Sequence, residues 1–137
     1  MSRTLEQHRA KYALDQVSVV GVSHKEDNKA KYGTLVRRLS AMIMNNGLGQ
    51  ALAFLLANDE GEHKKPSWLL YQQLQDWLSG PATSERPSRI YIGTEPNLIQ
   101  HLMLGNREGY QRAQQESLAL LAWMTKFADA YLPKGSE

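Results

Sequence analysis

Apolar residues recur at steps of three and four along most of the chain, which is the spacing of helices with one buried face. The clearest case runs from Lys31 to Gly47, KYGTLVRRLSAMIMNNG. Its apolar face is formed by Tyr32, Leu35, Val36, Leu39, Met42 and Ile43. Asn46 and Gly47 readily adopt the left-handed conformation that closes a last helical turn. The pattern therefore predicts a long helix that ends at Gly47.

Five other segments show the same periodicity and predict helices. They cover approximately residues 4–22, 49–58, 67–78, 95–104 and 108–132. Thr4 and Gln7 stand at capping-box spacing at the start of the first, so their side chains can satisfy free backbone donors. The segment 49–58 is apolar nearly all round, which predicts a central position in the core. Thr94 is a natural N-cap for the segment 95–104, with Glu95 and Pro96 in its first turn.

Two short stretches have β-propensity. VSVVGV at 17–22 could form a strand, but an isolated strand has no partner to pair with, so a helix that frays into a loop at Gly21 is preferred. RIYIG at 89–93 belongs to the long loop 80–93, which is rich in Gly, Pro, Ser and Thr. Six helices and no sheet predict one all-α bundle, framed by its two longest helices.

The composition is typical of a single folded domain. The 137 residues leave little room for a second core, and 42% hydrophobic residues supply enough apolar surface for one. No apolar run approaches the ~18 residues that cross a bilayer, and the N-terminal residues lack an apolar signal core, so we expect a cytosolic protein without membrane contact. The lack of cysteine excludes disulfides, thiol nucleophiles and thiolate metal sites.

The segment NNGLGQALAF at 45–54 places two glycines between apolar stretches, as phosphate-binding loops do. A dinucleotide loop needs a preceding strand and a third glycine, and a nucleotide triphosphate loop needs Lys-Ser or Lys-Thr. Both are missing, so the segment predicts a corner in which Gly47 closes one helix and Gly49 starts the next. One alternative stays open, because free backbone donors at the start of the second helix could receive a phosphate or a partner's carboxylate.

The side chains that carry chemistry are scattered. The four histidines are His8, His24, His63 and His101, and no two of them lie three or four residues apart, so no metal site is expected. NDEGEH at 58–63 lacks the oxygen-ligand spacing of a calcium loop and indicates a solvated turn. No serine stands in a nucleophile context. We therefore expect no catalytic centre and no cofactor.

The net charge of +2 is mild but unevenly distributed. Residues 1–40 carry eight Lys or Arg against four Asp or Glu, a net charge of +4, whereas the remainder carries eight against ten, a net charge of −2. One end of the molecule is therefore a plausible site for a polyanion, although a solvated basic face without a ligand is the simpler interpretation.

Helical angles place several basic residues on defined faces. Lys31 and Arg38 share a flank of their helix outside the apolar stripe, and Arg37 lies farther round. On the last helix Arg112 and Lys126 line up opposite the core. We expect these cations to form a continuous ridge on the bundle.

Two residues have ambiguous positions. Arg9 projects into the apolar arc that contains Leu5 and Tyr12, which fits a partner-facing arginine, a buried hydrogen-bonded one, or one that reaches back to water. Trp123 lies at the margin of the apolar stripe of the last helix, where it could stack on a base but where packing is commoner.

Four segments considered together match one pattern: RTLEQHRAKYAL at the N-terminus, NGLGQALAFLLA and LLYQQLQDWL in the middle, and YQRAQQESLALLAWMTKFADAYL at the end. They resemble the small subunit of the type III-B CRISPR effector, the Cmr RNA-silencing complex. The resemblance covers nearly the whole chain, and the loop 80–93 matches least.

The resemblance implies an all-helical, non-catalytic subunit. In such complexes, copies of the small subunit stack head to tail beside a filament of backbone subunits that holds the guide RNA, and target RNA pairs with the guide between the rows. Target cleavage belongs to the backbone subunit, and signalling and DNA cleavage belong to the large subunit. Because pairing reads the sequence, this chain needs only to recognise phosphates and duplex shape. The candidate RNA-contacting residues are Arg9, Lys11, Lys31, Arg37, Arg38, Arg112 and Lys126.

Two other functions stay open. A helical adaptor would use the same basic residues to meet acidic protein surfaces, without contacting RNA. An enzyme is disfavoured because the motifs of a reaction centre are missing.

Overall fold

The computed structural model describes residues 3–87, 89 and 97–134, and these fold into an all-α bundle. The described part holds six helices: α1 Leu5–Ser23, α2 Glu26–Asn46, α3 Leu48–Asp59, α4 Pro66–Leu78, α5 Leu98–Leu104 and α6 Arg107–Tyr131. The all-α prediction is confirmed. Helices α3, α4 and α6 begin and end within one residue of their predicted bounds, whereas α2 ends one residue before Gly47 but begins five residues before Lys31, at Glu26. None of the helices in the described part combines the length and the hydrophobicity that a membrane span requires.

The first helix begins at the predicted cap and continues past its predicted end. The Gln7 N–H donates to the Thr4 hydroxyl at 3.1 Å, and the Thr4 N–H donates to the Gln7 side-chain oxygen at 2.8 Å. The helix does not fray at Gly21, because Val17 and Val20 are buried in the core and Gly21 itself packs against Leu132. Tertiary contacts therefore keep this β-branched stretch helical to Ser23.

Part of the long loop falls outside the described residues. The predicted cap at Thr94, with Glu95 and Pro96, lies there, and so does RIYIG apart from Arg89. Arg89 donates hydrogen bonds to the backbone oxygen and the carboxylate of Asp76, both at 3.0 Å, which ties its part of the loop to α4.

The two longest helices run antiparallel and frame the bundle, as the periodicity predicts. Arg37 in the middle of α2 pairs with Asp129 near the end of α6, while Gln114 near the start of α6 reaches Leu48 just beyond the end of α2. The first helix packs along α6, and α3 contacts α2, α4, α5 and α6. The predicted central position of α3 is therefore confirmed.

The corner between α2 and α3 is closed by glycines and by two side chains of α6. Gly47 has φ +90°, a conformation that favours glycine. The Leu48 N–H donates to the Gln114 side-chain oxygen at 2.9 Å, and the Gly49 N–H donates to the Tyr110 hydroxyl at 2.7 Å. The corner prediction is confirmed. The alternative of a phosphate or a partner's carboxylate at these two donors is wrong, because α6 already satisfies them.

Candidate polyanion-binding groove

A groove of about 630 Å³ opens between α2 and the loop that connects α3 to α4. Four cationic side chains line it: Lys31, Arg38, Lys64 and Lys65. Among its described lining residues, Asp27 is the only carboxylate. Such an excess of cations over acids in a concave surface concentrates positive potential and attracts polyanions.

The α2 wall of the groove follows directly from the helical repeat. Asp27, Lys31, Thr34 and Arg38 are spaced three or four residues apart and so lie on one flank, away from the core. The predicted common flank of Lys31 and Arg38 is confirmed. Lys31 pairs with Asp27 at 3.2 Å, whereas the Arg38 guanidinium lies over the Phe54 ring, 5.8 Å from its centroid.

The opposite wall comes from the α3–α4 loop, residues 60–65. Lys64 is exposed and forms no ion pair with any described residue. Lys65 folds back over the loop, where its ammonium pairs with Glu60 at 3.2 Å and Glu62 at 3.8 Å. The hydrogen bond to Glu60 raises the pKa of Lys65 above its usual range. The solvated turn predicted here is thus one wall of a groove, and the adjacent lysine doublet was the signal that could have revealed it.

The four cations differ in their availability to a ligand. Lys31 and Lys65 already contact carboxylates of the chain, while Arg38 and Lys64 have no ion-pair partner among the described residues. An incoming phosphate gains most from the two unpaired groups, because nothing has to be displaced. The Arg38 guanidinium can bind a phosphate through two parallel hydrogen bonds, and Lys64 can add a point charge.

Arg9 is the clearest departure from the predicted set. Its Nε and Nη2 donate to the two oxygens of Glu116 at 2.6 and 2.8 Å, and its Nη1 donates to Glu6 at 2.6 Å. The hydrogen bond to Glu116 raises the pKa of Arg9, despite the opposing effect of partial burial. Of the interpretations left open for Arg9, the hydrogen-bonded internal arginine is the one observed.

The other predicted cations lie outside the groove. Arg37 points to α6 and pairs with Asp129 at 2.9 Å. Lys11 pairs with Asp15 at 2.8 Å and lines a separate cavity of about 190 Å³. The rest of that cavity is lined by Arg3, His8, Tyr12, Asp15, Glu85 and Arg86.

On the last helix, Arg112 and Lys126 are exposed and unpaired among the described residues. Neither of them lines the groove, and the continuous ridge stays a prediction. In the structure, Lys31 and Arg38 line the same groove as Lys64 and Lys65, whereas the other five predicted cations lie outside it. For Arg9 the internal ion pair is favoured over an RNA contact, and RNA contact by Lys11, Arg37, Arg112 and Lys126 stays a prediction.

Two aromatic clusters occupy surface positions without extending the groove. Trp123 donates its ring N–H to Glu6 at 3.1 Å and stacks on Phe127, with ring centroids 5.9 Å apart, so it is held by packing. His63 stacks on Trp68 at 3.9 Å. Within the described part of the chain, no three His, Asp or Glu side chains are grouped so that they could hold a metal.

The fold and the groove together define a small all-α protein with a basic concave surface. The family model of the CRISPR-associated protein (Cas_Cmr5) matches residues 5–131, from the start of α1 to the end of α6. The chain belongs to this family and is a small subunit of the Cmr, type III-B, CRISPR-associated complex. The resemblance seen in the four sequence segments is thereby confirmed.

Proposed function

We propose that this chain is a non-catalytic structural subunit that stacks along the backbone filament of the complex and uses its groove to hold the guide–target RNA duplex. The observation that carries the proposal is the clustering of Lys31, Arg38, Lys64 and Lys65 around one groove with a single lining carboxylate. Phosphate recognition of this kind is independent of sequence, which suits a complex in which base pairing reads the target.

The proposed binding by one copy is weak. Two unpaired cations give about two phosphate contacts. For each contact on a single strand, a one-log-unit increase in salt concentration lowers log affinity by roughly 0.7. Copies stacked head to tail along one RNA would add their contacts, because the first bound copy raises the effective concentration of the next. In this proposal the partners are the backbone and large subunits, further copies of the chain, guide RNA and target RNA, in the cytosol, as part of antiviral defence.

The proposal is tested by reversing the two unpaired cations of the groove. We expect Arg38→Glu with Lys64→Glu to abolish binding of the full-length chain to a labelled RNA duplex at low salt, and target association in the assembled complex. Both side chains are exposed, so circular dichroism should show an unchanged helical spectrum.

The matched control is Arg112→Glu with Lys126→Glu, which changes the net charge equally but lies outside the groove. A clearly smaller loss in this control supports the groove. An equal loss in both variants would refute the assignment of binding to the groove, because overall charge or the face that carries Arg112 and Lys126 would then contribute as much as the groove does.

A protein–protein adaptor without RNA contact is the second candidate. It is favoured by large apolar side chains left in solvent at the ends of helices: Leu104 at 87% exposure on α5, Val22 at 87% on α1 and Met44 at 74% on α2. The adaptor predicts that charge reversal in the groove disrupts co-purification with the other subunits while RNA binding by the free chain is undetectable even at low salt.

A further inference from the structure

The α3–α4 loop has an unusual backbone for a segment that carries a candidate ligand. Glu60, Gly61 and His63 have φ of +56°, +75° and +56°, in the left-handed region. Two of these are not glycine, so the loop adopts a conformation that its sequence alone does not favour. Such a conformation persists only where surrounding contacts hold it.

Those contacts converge on Asp59, the last residue of α3, which is 1% exposed. Its Oδ2 accepts the His63 N–H at 2.8 Å and its Oδ1 accepts the Lys65 N–H at 3.4 Å. Burial works to raise the pKa of Asp59, but the backbone N–H groups of His63, Lys65 and Lys64 outweigh it and lower the pKa. The carboxylate is therefore ionised at neutral pH and holds the loop through hydrogen bonds from a buried position.

Lys64 lies between His63 and Lys65, whose N–H groups donate to the two oxygens of Asp59. The backbone on both sides of Lys64 is thus fixed by one carboxylate, and the stacking of His63 on Trp68 at 3.9 Å adds a third restraint. Lys64 is also the unpaired cation on this wall of the groove, among the described residues.

We infer that Asp59 is a positioning residue for RNA binding: it holds Lys64 at the rim of the groove, opposite Arg38. This inference rests on the proposed function, because it assumes that Lys64 contacts phosphate. An ordered cation binds phosphate with less loss of conformational entropy than one on a mobile loop. Asp59 therefore acts on RNA through Lys64 and does not touch the RNA itself.

The test is a double-mutant cycle between Asp59→Asn and Lys64→Ala in the full-length chain, with a labelled RNA duplex titrated across a range of salt. One phosphate contact increases RNA affinity about ten-fold at 50 mM salt, because each contact changes log affinity by roughly 0.7 to 0.9 per log unit of salt. We expect Asp59→Asn to weaken binding by up to about ten-fold, to lower the salt slope by up to about 0.9, and to have no further effect once Lys64 is alanine.

The sign of the effect separates positioning from simple charge. Asp59→Asn makes the protein more positive, which by itself strengthens RNA binding, so a loss of affinity opposes the electrostatic trend. Asp76→Asn is the matched control: it removes the same charge from a carboxylate that also anchors a loop, through Arg89 at 3.0 Å, but it does not line the groove. We expect the control to leave affinity unchanged or slightly higher.

Three results would overturn the inference. The first is unchanged or tighter binding by Asp59→Asn while Lys64→Ala binds more weakly; this outcome leaves the proposed function intact. The second is an equal loss from Asp59→Asn in the presence and absence of Lys64, which would indicate a general structural role. The third is unchanged binding by Lys64→Ala, and if Arg38→Glu also binds normally, the proposed function fails as well.

Discussion

Replacing Arg9 with alanine should destabilise the fold and leave RNA affinity nearly unchanged. The Arg9 and Glu116 side chains are 17% and 10% exposed, and they form a bidentate ion pair between α1 and α6. Glu116 also accepts the Trp77 ring N–H at 3.1 Å. In Arg9→Ala the Glu116 carboxylate keeps only this neutral donor and stays in a largely dry position, so the variant leaves an uncompensated charge.

The size of the effect follows from that burial. Loss of one partner from a buried pair costs about 3–5 kcal/mol, and the residual exposure of Arg9 places the expected cost near the lower value, about 3 kcal/mol. For 137 residues, an unfolding entropy of about 2.1 cal/mol/K per residue gives about 0.3 kcal/mol/K. The expected decrease in Tm is therefore about 10 °C.

Differential scanning calorimetry and urea unfolding measure this cost, and RNA titration of the still-folded variant measures affinity. Arg112→Ala serves as the control, because Arg112 is exposed and has no described ion pair; its effect should stay within about 0.5 kcal/mol. Arg9→Ala with Glu116→Gln should recover part of the lost stability, since no unpaired charge remains. A decrease in Tm below about 3 °C together with lost RNA affinity would refute this reasoning and establish Arg9 as a phosphate ligand.

Two further predictions concern affinity and pH. Glu60→Gln removes the nearer of the two carboxylates that pair with Lys65, at 3.2 Å, and leaves Glu62 at 3.8 Å, so RNA affinity at low salt should rise by about two- to five-fold in a binding titration; weaker binding would contradict a role for Lys65 in the groove. Burial raises the pKa of Tyr12 and Tyr32 above the ordinary value of 10.0, so these tyrosines lose their protons at lower pH in the unfolded chain than in the folded protein. The free energy of unfolding therefore falls as pH rises through that value. Urea unfolding between pH 8 and 11 should show a shallower fall in Tyr12→Phe and Tyr32→Phe, and parallel curves would contradict it.

The helices and one wall of the groove could be predicted because both depend on local repeats. A period near 3.6 residues fixes which residues share a face, so Lys31 and Arg38 were placed together correctly. The second wall could not be predicted in this way. Lys64 and Lys65 reach the groove because the chain turns back after α3, and that path depends on the buried Asp59 and on three left-handed residues.

Arg9 and Glu116 illustrate a signal that periodicity does contain. Each residue interrupts an apolar face, Arg9 on α1 and Glu116 on α6, and opposite charges on two apolar faces are best accommodated as a pair. The two residues are separated by 107 positions, so local spacing gives no direct indication that their helices are neighbours. Interpreting both interruptions together would have favoured an internal ion pair over an RNA contact.

The net charge of the chain does not indicate how many of its cationic side chains are available to bind a polyanion. Arg9, Lys11, Lys31, Arg37 and Lys65 contact carboxylates of the chain itself, whereas Arg38 and Lys64 lie in the groove without such partners. In the proposed function, phosphate therefore competes with internal carboxylates at Lys31 and Lys65 and meets unpaired cations at Arg38 and Lys64, which are the other two cations of the groove. A few contacts per copy give weak binding by one subunit, and strong binding then requires several copies on one strand. If the proposed function holds, the internal ion pairs therefore favour the assembled array over the isolated chain as the form that would hold RNA.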